Sequence, residues 1–118
     1  DFFSKVQPYV KQHYYAESQK GNLGIYVAVG FRARNHGYDA QAREVAKDDH
    51  PEPYQIFVSR GEQHASLNIG TIIQDAKKHA DIQNGGGRDD VGGLNSSDKR
   101  KAIKALSYII KRIRKDCP

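Results

Sequence analysis

The sequence has no methionine and a single cysteine, Cys117, next to its C-terminus. A lone cysteine forms no internal disulfide, so a disulfide-stapled scaffold is excluded. No apolar run approaches the length that spans a bilayer, and no signal-peptide pattern opens the chain. An intracellular location, cytoplasmic or nuclear, is expected, with no membrane partner. Beginning at Asp1 and lacking methionine, the chain is expected to be a piece of a longer polypeptide. Internal repeats and low-complexity tracts are missing too. So is a recognisable nucleophile–base pair, because no serine or cysteine has nucleophile-elbow context. Asp48-Asp49-His50, and His36 with Asp39, are metal-ligand residue types at spacings that match no metal template. The Asp-Asp-His run before Pro51 and Pro53 reads instead as a helix-ending turn. His64 and His79 read as surface residues. The chain by itself is expected to be inert, with no catalytic residues, metal ligands or cofactor of its own.

What is present describes one basic domain. The 118 residues are 37% hydrophobic and 28% charged, enough for a real core, with a net charge of +5. That balance favours an anionic partner, most often nucleic acid. A merely basic globular protein is the alternative.

Periodicity predicts the elements in turn. Val6, Val10, His13 and Tyr14 have roughly helical spacing and predict a helix over 7–18, which Gly21-Asn22 ends. Residues 24–33 are β-branched and aromatic on both parities, as in a strand buried on both faces. Tyr38, Ala42, Val45 and Ala46 predict a short helix over 38–48, and residues 54–60 a second strand. Asn68 is placed to cap a helix whose apolar face is Ile69, Ile72, Ile73, Ala76 and Ala80. Ser96 or Ser97 is expected to cap a last helix, with Asp98 in its first turn. A short strand around 91–94 is expected to add to the sheet. The fold class is therefore α/β: a small sheet with a parallel strand–helix–strand unit, flanking helices and a glycine-rich loop before a basic C-terminal helix. Residues 1–22 form a helical lead-in and residues 24–118 the domain.

Residues 84–94, Asn-Gly-Gly-Gly-Arg-Asp-Asp-Val-Gly-Gly-Leu, are the most informative stretch, holding five of the chain's eleven glycines. Gly85, Gly86 and Gly87 free the backbone to lie against a ligand, and successive N–H groups can form an anion-binding concavity. Arg88 adds a planar fork suited to phosphate, and Gly92 and Gly93 close the segment. A flexible surface loop is the competing reading. Ser59-Arg60 ends the second strand, a common place for ligand contacts in α/β layers. If the strands are parallel, Arg34 and Arg60 converge with Arg88 on one anion. The last helix carries Lys99, Arg100, Lys101, Lys104, Lys111, Arg112, Arg114 and Lys115. Lys104, Lys111 and Arg112 are the expected phosphate-backbone contacts. A solvated helix face competes equally.

Together these residues resemble the DHH-associated C-terminal domain. That domain lies behind the catalytic domain of DHH-type phosphoesterases, including single-strand exonucleases, and at the C-terminus of alanyl-tRNA synthetases. The family's signature runs Gly-Gly-Gly-His, two variable residues, small-small-Gly and an apolar residue. Gly85 to Leu94 has that length, Ile56 to Arg60 matches the preceding strand, and Ser66 to Gly70 matches the approach to the helix. The phosphoesterases usually place histidine where Arg88 stands. The synthetases commonly have Arg or Lys there, with an Ala-Gln-Ala insertion that is missing here. The resemblance implies a nucleic-acid-binding domain that holds a phosphate or nucleotide end for a catalytic domain outside this chain, where Mn or Mg is expected. A tRNA-binding appendage is the second reading, and a protein-interaction or dimerisation domain the third.

Overall fold

The computed structural model describes residues 24–31 and 34–116. The helix expected over 7–18 lies outside them.

The apolar, β-branched runs form the central strands. β1 (Ile25–Phe31) pairs antiparallel with β4 (Tyr54–Arg60), from Ile25↔Arg60 to Phe31↔Tyr54. Between them stand β2 (Arg34–Tyr38) and β3 (Glu44–Asp49), a separate two-stranded hairpin. β5 (Asn84–Gly87) and β6 (Val91–Ser96) complete a four-stranded sheet in the order β1-β4-β6-β5. The mixture of helices and strands is the expected one. Every described pairing, however, is antiparallel. The parallel strand–helix–strand unit is not found, because the segment expected as a helix over 38–48 is a β-hairpin. A hairpin returns the chain antiparallel, whereas a crossover helix would have returned it parallel.

The chemistry of that hairpin's tip explains the difference. Asp39 accepts from the N–H groups of Gln41 and Arg43, each at 2.9 Å, and Ala42 turns into the left-handed region at φ 59°. An aspartate-led turn of this kind competes directly with helix.

Both helices lie on one sheet face. α1 (Ile69–Ala80) is capped by the Asn68 side chain, which accepts from Thr71 N at 3.0 Å. α2 (Lys99–Asp116) is capped not by Ser96 or Ser97 but by Asp98, whose Oδ1 accepts from Arg100 N and Lys101 N. Ser96 Oγ instead accepts from Asp98 N and holds the approach to the helix. Ile69, Ile72, Ile73 and Ala76 of α1 meet Ala102, Ala105, Leu106 and Ile109 of α2 over Ile56, Val58 and Leu94 of the sheet. Each fully buried Ile or Leu contributes about 1.5–3 kcal/mol. Ala28, Phe57 and Gly93 are in register on the other face, where Phe57 is also buried. None of the described helices is long and apolar enough to cross a membrane.

Candidate nucleic-acid interface

The glycine-rich segment is a hairpin rather than an open loop. Gly85, Gly86 and Gly87 pair in register with Leu94, Gly93 and Gly92. Arg88 N donates to Val91 O at 2.7 Å and closes the turn. The three carbonyls of the turn all point back into the protein. Arg88 O accepts from Gly70 N at 2.7 Å, Asp89 O from Ile69 N at 2.9 Å, and Asp90 O from Arg60 N at 2.9 Å. The first N–H groups of a helix have no partner inside it. Here the first two of α1, from Ile69 and Gly70, are taken by the turn, so the hairpin and the helix start are fastened together. The approach is close enough to require glycine in the helix: a Cβ at Gly70 would lie 2.8 Å from Gly87 O and 2.9 Å from Arg88 O.

Arg60 completes this fastening from below. It is 4% exposed. Its Nε donates to Leu67 O at 2.6 Å and to Asp89 O at 3.1 Å, and Nη1 donates to Gly61 O at 3.3 Å. Nη2 lies 3.6 Å from Asp89 Oδ2. Arg60 is thus built into the frame of the turn. Arg88 stands on its outside, with a side chain 67% exposed and Nε 3.4 Å from Asp90 Oδ1. The structure therefore brings Arg60 and Arg88 to one turn but gives them opposite surroundings.

The expected convergence of Arg34 with them rested on parallel strands, and those are not found among the described residues. The antiparallel register puts Arg60 beside Ile25, while Arg34 opens β2 of the separate two-stranded hairpin. Ser59 is fully buried on the sheet face away from the helices, in register with Tyr26 and Val91.

No family model matches this chain, and no curated protein or solved structure is significantly similar to it.

Two sets stand out among the cationic residues of α2. Ala102, Ala105, Leu106 and Ile109 face the core. Arg100, Lys104, Lys111 and Arg114 are exposed and recur at helical spacing with Ser107 between them. Together they form one row that spans roughly 21 Å at helical rise. None of these four forms an ion pair among the described residues. Lys101 differs, lying 3.4 Å from Asp81. Arg112 differs more. Its Nη1 donates to Asp75 Oδ2 at 2.9 Å and to Tyr108 Oη at 2.8 Å, and its Nε lies 3.6 Å from Asp116. The bond to Asp75, then that to Tyr108, raises the guanidinium above its ordinary pKa. Arg112 ties α2 to α1, whereas Lys104 and Lys111 stand in the exposed row. Arg100 and Arg114 belong with them. The i, i+4, i+7, i+11, i+14 spacing, taken against the apolar face, was the signal that separates the row from Arg112.

Among the described residues, no three His, Cys, Asp or Glu side chains gather closely enough to hold a metal ion.

Proposed function

We propose that this chain is a nucleic-acid-binding domain that grips the phosphate backbone along α2. The observation that carries this reading is the row Arg100, Lys104, Lys111 and Arg114, exposed along one face and without ion-pair partners among the described residues. A cationic row several phosphates long releases counterions when it meets a strand. The resemblance to DHH-associated domains supports the same reading. In it the chain holds a single strand or nucleotide end for a phosphoesterase or exonuclease domain elsewhere, which carries the Mn or Mg. Arg88 at the hairpin tip then meets a phosphate. Cytoplasmic or nuclear location goes with that role.

Salt dependence tests the reading. Replacing Arg100, Lys104, Lys111 and Arg114 with glutamine is expected to weaken binding to all single-stranded sequences alike. The slope of log K against log salt falls by roughly 0.7–0.9 for each phosphate that the domain no longer neutralises. Arg112→Gln leaves the slope unchanged and lowers stability instead, because its charge is committed to Asp75. A quadruple variant with the parent's slope would show that the row is only a solvated face.

A further inference from the structure

The four-stranded sheet has two edges, and they are built differently. β5, at one edge, is four residues long, and Lys77 Nζ donates to its Gly85 carbonyl at 2.9 Å. Short length and a lysine on the backbone are ordinary ways to keep a sheet edge from pairing with another chain. β1, at the other edge, has neither. It is seven residues long, Ile-Tyr-Val-Ala-Val-Gly-Phe, without proline, lysine or any charge. No described strand lies on its outer side.

The register shows which groups that edge presents. Gly61 N donates to Gly24 O at 3.1 Å, one step beyond the Ile25↔Arg60 pair. In an antiparallel ladder, residues bonded to one neighbour alternate with residues directed away from it. Tyr26, Ala28 and Gly30 therefore bond to β4, as Gly24 does. Ile25, Val27, Val29 and Phe31 direct their N–H and C=O groups outward. Their side chains are incompletely covered as well. Val27 and Val29 are in register with Val58 and Ile56, on the face that carries the helices. Ile56 and Val58 are fully buried there, whereas Ile25, Val27 and Val29 are half-buried and Phe31 is 40% exposed. The core thus runs out at β1, with backbone groups and apolar side chains left over.

β1 is also complementary to itself. Run antiparallel to a second β1 about Ala28, it sets Ile25 against Phe31 and Val27 against Val29 in hydrogen-bonded pairs. Tyr26 then faces Gly30, and Ala28 its own copy, in the non-hydrogen-bonded pairs where side chains come closest. The tyrosine ring covers the glycine, and nothing larger than alanine stands at the two-fold axis. Each apolar side chain on the helix-covered face meets another on the same face, because paired positions differ by an even number. The strand carries no charge, so the seam brings no like charges together.

We propose that two copies of this chain join through β1 into one continuous eight-stranded antiparallel sheet, doubling the four strands of each. The helices of both copies lie on the same face of it. The inference is independent of the nucleic-acid reading, which concerns α2.

Sedimentation of the 118-residue chain over a concentration series is expected to give a reversible monomer–dimer equilibrium. Amide exchange locates the seam. In the dimer the N–H groups of Ile25, Val27, Val29 and Phe31 gain protection that dilution removes, while those of Tyr26, Ala28 and Gly30 stay protected throughout. In a mixture of isotope-labelled and unlabelled chains, a cross-copy contact between the α-protons of Tyr26 and Gly30 fixes the register. Val29→Pro removes one outward N–H and none of the bonds to β4, and it is expected to abolish the dimer while circular dichroism still shows the parent fold. Phe31→Lys, a change at a partly exposed side chain, is expected to weaken the dimer about tenfold, since two Phe31–Ile25 pairs are lost. A chain that stays monomeric at millimolar concentration would overturn the proposal. So would protection of the outward amides in the monomer, or a dimer that Phe31→Lys leaves unweakened.

Discussion

Arg60 and Arg88 meet at one turn and do different work. The buried guanidinium of Arg60 satisfies the carbonyls of Leu67, Asp89 and Gly61, while Arg88 projects outward. Arg60→Met removes the guanidinium from Leu67 O and leaves the carbonyls of Asp89 and Gly61 with only their backbone donors, at a cost of about 2–4 kcal/mol in denaturant unfolding. Arg88→Lys changes stability by less than about 0.5 kcal/mol. It weakens binding to a short single strand by about 1.5–3 kcal/mol, because a point charge does not replace a planar fork. Equal unfolding midpoints for Arg60→Met and the parent would show that the buried bonds do not hold the turn. Parent-like binding by Arg88→Lys would remove Arg88 from the interface. The sequence shows both arginines beside the right elements but not which one is buried. Arg60 is buried through carbonyl partners 7 and 29 positions away, and no local pattern encodes them.

At the scale of elements, legibility followed the strength of local chemistry. The Asn68 cap and the apolar face of α1 are as the spacing predicts, because that helix combines a cap with an unbroken 3.6-residue period. The segment over 38–48 has the same spacing in only four residues, and there a turn prevails. Asp39 decides it, and Asp39 is titratable. The N–H of Arg43 first, then that of Gln41, with the Arg43 guanidinium 2.9 Å away, holds its carboxyl below the usual aspartate pKa. A depressed folded-state pKa stabilises the turn above the unfolded pKa and loses that contribution as pH falls through the folded value. The β2–β3 tip is therefore expected to be unchanged from neutral pH down through the usual carboxylate range and to loosen only below it. Amide exchange of Gln41 and Arg43 followed against pH reads this directly. Asp39→Asn should remove most of the pH dependence. Loosening already at about pH 5, above the usual aspartate pKa, would exclude Asp39 as the anchor of the tip.

Among the described residues, paired and unpaired charge is segregated along α2. The cations that face solvent without ion-pair partners among the described residues include the row along α2, and the carboxylates Asp75, Asp81 and Asp116 are occupied by Arg112 and Lys101. That segregation was partly readable, since the lysines and arginines of the last helix are plain in the sequence and only their partners are not. The Asp48-Asp49-His50 run lies elsewhere, at the end of β3, and its histidine is committed to the chain reversal before β4. His50 Nδ1 accepts from Glu52 N at 3.0 Å, and Nε2 lies 3.5 Å from Gln55 Nε2. A ring nitrogen that accepts a backbone N–H is not available to a metal. The run leads into a turn, as its prolines predict, although it follows a strand rather than a helix. On the proposed reading, the chain binds a labelled oligonucleotide in the presence of Mn²⁺ or Mg²⁺ without cleaving it. Its role would be to orient the strand, and the acid, base and metal would come from elsewhere. Incubation with each metal, followed by product analysis, checks this. Turnover that disappears with Asp48→Asn, Asp49→Asn or His50→Ala would establish the run as a metal site and overturn the assignment of this chain as a holding domain alone.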